Sequence, residues 1–167
     1  GAILYYLSET QHNKIQHITN IQRIAEDAYV WMDKFTIRNL ELYHSYNPNA
    51  VTLLDVIDKT LSPMGARLLK RWLALPLKDI SKIRSRHEVI SYLKTNPEVL
   101  QKIQYQIKQI SDLERLISKV ATGKISPREV NFLKDSLDAI IPIKTLALES
   151  SNEALRVIGD GLHACEL

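Results

Sequence analysis

The chain has 167 residues, 45% of them apolar and 25% charged, with a net charge of +3. This is the balance of an ordinary soluble globular protein, and it excludes disordered and collagen-like chains. The single cysteine, Cys165, excludes an intrachain disulfide and a Cys-rich zinc site, while the length suffices to bury roughly 70% of the unfolded surface without such staples.

The periodicity is helical almost throughout. A first helix places Ile3, Leu4 and Leu7 on one side and ends near Gln11. His12 to Asn20 is mostly polar and reads as a connector. Ala28 to Asp33 is the best strand candidate, because its β-branched and aromatic residues suit an extended edge. Thr36 to Leu42 reads as a short helix with Ile37 and Leu40 turned inward, and Tyr43 to Ala50 as a turn-rich loop. Thr52 to Thr60 reads as a turn or two of helix burying Leu53, Val56 and Ile57.

From residue 60 the start signals sharpen. Ser62 caps a helix with Pro63 at its first position. That helix runs through Trp72 and stops before Pro76, with Leu68, Leu69, Trp72 and Leu73 as its apolar stripe and Gly65 on the same side. Asp79 caps the next helix, whose stripe is Ile80, Ile83, His87, Ile90 and Leu93. Asn96-Pro97 opens another, carrying Leu100, Ile103, Ile107 and Ile110. Ser111 with Glu114, Ser126 with Glu129, and Ser150 with Glu153 match the capping box. The first opens a helix with Leu113, Leu116, Ile117 and Val120 that ends at Gly123. The second opens one with Val130, Leu133, Leu137, Ile140 and Ile141, kinked or broken at Pro142. The third opens one with Leu155, Ile158 and Leu162. The expected fold is mainly all-α, an irregular multi-helix bundle with long lever-type helices and at most one short strand or small hairpin.

Little reactive chemistry is present, and no catalytic, cofactor-binding or metal-ligating set is assigned. The run Thr122-Gly123-Lys124-Ile125-Ser126 superficially resembles a phosphate loop. It lacks the upstream glycine, the adjoining Lys-Ser pair and the preceding strand, and reads as a helix stop. His12 and His17 have suitable spacing for a metal but no carboxylate pair beside them. His87 lies on an apolar helix face and reads as a hydrogen-bonded core residue. Asp55, Asp58, Asp112 and Glu114 read as helix caps or ion-pair partners. Nothing activates Cys165 apart from the nearby His163.

Charge is uneven. Pro63 to Arg86 carries seven basic residues against the one acid Asp79, and the remainder of the chain is net −3. Arg67, Lys70 and Arg71 share one face, opposite Leu68, Leu69 and Trp72. Such a segment is either a phosphate-facing patch or a solvated helix face. No helix-turn-helix turn precedes it, and few residues that read base edges accompany it.

No apolar run approaches the ~20 residues of a membrane span, and the N-terminus lacks the basic region of a signal peptide. The lone cysteine suits a reducing compartment, and a cytoplasmic setting is expected. Both ends fall in mid-pattern, so the chain is expected to be part of something longer.

Ordered motifs then resemble the core domain of the MutS family of DNA mismatch repair proteins. They are Thr36-Ile37-Arg38-Asn39-Leu40-Glu41-Leu42, Thr52-Leu53-Leu54, Leu61-Ser62-Pro63-Met64-Gly65-Ala66-Arg67-Leu68-Leu69-Lys70-Arg71-Trp72-Leu73 and Pro76-Leu77. Asp112 to Leu116, Pro127-Arg128-Glu129 and the opening Gly1 to Gln11 follow the same order. Ile37 stands where the family often has arginine, and Ala66 where it often has glycine or serine.

The resemblance implies that residues 1–167 are the first segment of the core and lever domain. Residues 1–60 would form an N-terminal helix, connector and short strand, and 61–167 a helical bundle running toward the lever and clamp. The implied role is structural and allosteric, linking DNA-binding domains to an ATPase domain. The chain itself would not be an enzyme. ATP, magnesium, mismatched duplex DNA and a dimeric state would belong to the parent, with its other domains as partners and no membrane. The alternative is a free-standing helical module that binds protein or nucleic acid. Arg38, Asn39, Leu40, Glu41, Pro63, Gly65, Arg67, Arg71, Trp72 and Leu73 form the structural family motif. Arg38 and Glu41 are expected as polar struts, and Arg67, Lys70 and Arg71 as a weak DNA or interdomain surface. Trp72 and Leu73 are expected core anchors, with Trp72→Ala costing roughly 3–5 kcal/mol if the ring is buried. The Leu155, Ile158 and Leu162 stripe is expected to lack a partner.

Overall fold

A computed structural model describes residues 2–10, 26–47, 49–163 and 165. The connector from His12 to Asn20 lies outside them, as do the side chains of Ile3, Leu4 and Leu7. The helices are α1 (Ala2–Glu9), α2 (Lys34–Asn39), α3 (Leu53–Ile57), α4 (Pro63–Ala74), α5 (Ile80–Thr95), α6 (Pro97–Gln109), α7 (Leu113–Ala121), α8 (Pro127–Asp138), α9 (Ile140–Leu148) and α10 (Glu153–Asp160). The mainly all-α class holds. The longest element, α5, has 16 residues, a rod of about 24 Å at 1.5 Å per residue.

The strand expected at Ala28 to Asp33 is replaced by a 3-10 turn (Glu26–Ala28) and an isolated antiparallel bridge between Tyr29 and Leu77. Val30 N donates to Pro76 O at 2.7 Å, and Lys78 N donates to Ala28 O at 3.2 Å. Pro76 has no amide to return, so pairing stops after one bridge. Asp33 then caps α2, accepting from Thr36 N at 2.6 Å. Ile37 is half-buried as expected, but Leu40 is 57% exposed. Leu42, two residues on, is the buried one. Glu41 between them adopts φ 48°, a left-handed turn that swings the chain inward. The amides of Leu53 and Leu54 then donate to the carbonyls of Glu41 and Leu42, tying α3 back to the end of α2.

Thr52 and Asp55 form a reciprocal capping box at α3. The side chains expected to be buried there, Leu53, Val56 and Ile57, are exposed, and Thr52 is buried instead. Ser62 and Asp79 cap α4 and α5 as expected. On α5 the inward line is Ile83, Arg86, Val89 and Leu93, whereas Ile80, His87 and Ile90 are exposed. The apolar positions of α5 cover more than one face, and contact with α6 and α10 selects among them.

Two of the three capping boxes are displaced. Asp112, not Ser111, caps α7, accepting from Arg115 N at 3.3 Å. Ser111 N instead donates to Ser136 Oγ on α8 at 2.9 Å. Asn152, not Ser150, caps α10. Ser150 is buried, with its hydroxyl 2.8 Å from the Ala147 carbonyl. The Ser126–Glu129 box is complete. In α7 the Gly123 amide donates to Val120 O and the Lys124 amide to Lys119 O, a Schellman stop that places Gly123 at φ 66°. α8 breaks at Ala139 rather than at Pro142. Pro142 lies in the first turn of α9, where its missing amide loses nothing and its ring forbids a continuous helix.

The packed centre joins α9 to α10, α6 and α8, α5 to α6 and α10, and α7 to α8. Ile103, Leu116, Ala139, Ala147 and Leu155 are buried there. The most extensive helix contact is between α9 and α10. A Cβ on Gly159 would fall 2.9 Å from Ala147 Cβ, so only glycine facing alanine permits this spacing.

Candidate interdomain surface

α4 carries most of the predicted motif. Pro63 is its first residue, and Gly65 donates its amide to Ser62 Oγ at 3.1 Å. A Cβ on Gly65 would meet the same oxygen at 3.1 Å, so the cap leaves little room for a side chain.

The three basic residues of α4 do not act as one patch. Arg67 forks onto Asp112, with Nη1–Oδ2 at 2.9 Å and Nη2–Oδ1 at 2.7 Å, and its Nε donates to Glu114 Oε2 at 2.8 Å. Hydrogen bonding to both carboxylates raises the guanidinium pKa further above its already high ordinary value. Hydrogen bonding to Arg67 likewise lowers the Asp112 pKa. Arg67 is therefore a neutralised tie between α4 and α7. Lys70 lies with Nζ 5.1 Å from the Tyr43 ring centroid, and its carbonyl accepts from the Tyr43 hydroxyl at 2.6 Å. Burial pushes that hydroxyl's pKa up. Arg71 is exposed and lines a small cleft with Tyr29, Leu68, Leu75 and Arg86.

Trp72 is not the core anchor its stripe implies. It is 42% exposed, and Arg86 of α5 lies over its ring at 3.6 Å. The reason is the neighbour: α5 covers the ring with a cation rather than with an apolar side chain. Leu73 is half-buried. Beside Trp72 opens a groove of about 810 Å³ between α5 and α10, with Leu77, Ile90, Val157 and Ile158 among its lining residues. The expected stripe on α10 is thus divided. Leu155 is buried, Leu162 is half-buried, and Ile158 faces the groove beside Val157.

The second motif cluster is at α2. Arg38 stacks 4.1 Å from the Tyr46 ring centroid, and Glu41 accepts from Ser45 Oγ at 2.7 Å. Asn39 ends α2 and is exposed. The strut partners are therefore an aromatic ring and a hydroxyl, which spacing alone does not reveal.

The residues at Thr122 to Ser126 do not fit a nucleotide phosphate. The amides of Gly123 and Lys124 are already donated to α7, and a helix rather than a strand precedes them. Among the described residues no group of three His, Cys, Asp or Glu side chains is placed to hold a metal ion. His12 and His17 lie outside those residues, and His44, His87 and His163 are exposed. No described helix is long and apolar enough to cross a membrane.

The helical fold, with the Arg38–Leu42 and Pro63–Leu73 segments in order, defines a MutS-type helical domain. A family model described as MutS domain III matches residues 35–163, and the chain belongs to that family. The DNA mismatch repair protein MutS of Flavobacterium johnsoniae is 83% identical over 167 residues, covering all of this chain and 19% of that protein. Its counterpart in Flavobacterium psychrophilum is 79% identical over the same span and share. That of Bacteroides thetaiotaomicron is 54% identical over 165 residues, 99% of this chain and 19% of the relative. The chain thus spans about a fifth of the length of these curated relatives.

Proposed function

We propose that this chain is the structural and allosteric core of a DNA mismatch repair ATPase. It holds the DNA-binding parts and the ATPase part of a longer, dimeric, cytoplasmic protein, and passes state between them. The observation that carries this reading is the open apolar groove beside Trp72, Ile90, Val157 and Ile158. An open groove with apolar walls can seat a neighbouring element. Family membership and the one-fifth coverage of the relatives point to other domains of the same parent as that neighbour. Mismatched duplex DNA, ATP and magnesium bind the parent through other segments. The chain itself performs no catalysis.

The test uses the longer protein with Ile158→Glu placed in the groove. Coupling between mismatch binding and ATP turnover is expected to fall, while ATP turnover without DNA persists. Unchanged coupling with a folded variant sinks the interdomain role. ATP hydrolysis by the 167-residue chain alone would overturn the non-catalytic assignment.

The second reading is a free-standing helical binding module. Arg71, exposed and free of the tie that occupies Arg67, favours a residual electrostatic affinity for nucleic acid. A salt-dependent gel shift with duplex DNA, lost on Arg71→Ala, supports that reading instead.

A further inference from the structure

We propose that the pocket between α2 and the loop after it receives the carboxylate of an acidic polypeptide segment. The pocket encloses about 360 Å³ and is lined by Lys34, Ile37, Arg38, Tyr43, His44 and Tyr46 among others. Two cations, Lys34 and Arg38, line it, and Lys70 of α4 lies 5.1 Å from the centroid of the Tyr43 ring that forms one wall. None of these cations has a carboxylate partner among the described residues. The nearest acid in the loop, Glu41, is engaged with the Ser45 hydroxyl and does not line the pocket.

The geometry selects the ligand chemistry. Arg38 Cζ lies over the Tyr46 ring, 4.1 Å from its centroid. The ring contact consumes none of the guanidinium N–H donors, and that fork matches the two oxygens of a carboxylate. Ile37 and the tyrosine rings supply apolar walls for an aliphatic neighbour of the acid. The surroundings disfavour a polyanion. Residues 26–60 carry six carboxylates, Glu26, Asp27, Asp33, Glu41, Asp55 and Asp58, against Lys34, Arg38 and Lys59. One inserted carboxylate meets the local cations, whereas an extended phosphate backbone meets net repulsion. Trp31 and Phe35, flanking and on α2, are exposed and extend the apolar contact available to a peptide.

The test titrates the 167-residue chain with a capped Leu-Glu-Leu tripeptide, which carries one carboxylate, followed by amide NMR. Shifts are expected to gather at α2 and residues 43–46. The leucine–glutamine counterpart and Arg38→Ala should each weaken binding roughly tenfold, the scale of a charge-assisted hydrogen bond. Arg38→Lys should fall between, and Lys34→Glu should abolish binding in a variant with an unchanged far-UV circular dichroism spectrum. Equal binding of the glutamine peptide, shifts elsewhere, or no shifts at all overturn the proposal. So does a short DNA duplex that shifts the same amides more strongly than the glutamate peptide.

Discussion

Arg67 on α4 and Asp112 at the cap of α7 form a two-pronged ion pair between residues 45 apart in sequence, and the same guanidinium reaches Glu114. Asp112 has two roles at once: it caps α7 and it receives α4. The extensive helix contacts lie among α5 to α10, so this polar tie and the Arg86–Trp72 stack are prominent links between α4 and the bundle.

Arg67→Ala should lower the thermal midpoint more than Arg71→Ala, because Arg71 has no carboxylate partner among the described residues. Arg67→Lys should fall between them, since an ammonium cannot reproduce the fork. In a double-mutant cycle with Asp112→Ala the two losses should not add. Additive losses show that the pair is not coupled.

Trp72→Ala should cost about 1–2 kcal/mol, below the ~3–5 kcal/mol of a fully buried ring. The stack with Arg86 contributes about 0.5–1 kcal/mol of this, and partial burial the rest. Arg86→Ala should also change the Trp72 emission in a Trp31→Phe background. Urea unfolding that returns a loss above ~3 kcal/mol places the ring in a closed core.

Acid should loosen the α7–α8 connection. Glu129 receives Lys119 and the Ser126 amide, and these hold its carboxyl down to about 2, from an ordinary 4.5. A depressed carboxylate contributes stability that is complete above the unfolded value and is lost as pH falls through the folded one. The loss therefore runs from about 4.5 down through about 2. Glu129→Gln should flatten that limb of the midpoint-versus-pH curve, and an unchanged slope counts against the assignment.

Gly159→Ala should destabilise by about 1–3 kcal/mol through overpacking, because the added carbon meets Ala147 at 2.9 Å. The pairing gives a specific check. Ala147→Gly in the same chain should recover part of the loss, which a purely backbone effect of Gly159 cannot explain.

Ser136→Ala should cost about 1 kcal/mol, because the half-buried Ser111 amide loses its acceptor. Ser136→Thr, which keeps the oxygen but adds a methyl group in a closed site, should lower the midpoint for a steric reason alone. Slowed amide exchange at Ser111 should disappear only in the alanine variant.

Helix starts were legible where the signal is local. Ser62, Asp79 and Ser126 each bond to amides two or three residues away, so the pattern contains both partners. The same logic misplaced two caps. Ser111 and Ser150 satisfy the spacing, but Ser136 engages the Ser111 amide and the Ala147 carbonyl holds Ser150, so Asp112 and Asn152 cap instead. Ser136 itself carries no sequence signal, because its importance depends wholly on what α6 and α7 bring to it.

The sequence by itself determined the helical class, most helix starts and membership in the MutS domain III family. Capping and periodicity are short-range, and ordered motifs survive as text. Only the tertiary structure decided which faces are inside. The stripe of α4 remains half open because α5 presents Arg86 to Trp72. The basic face is broken up because Asp112 and Glu114 arrive beside Arg67 from another helix. Burial and ion pairing depend on the neighbour a residue meets, and that neighbour is set by how the helices pack rather than by the residues on either side.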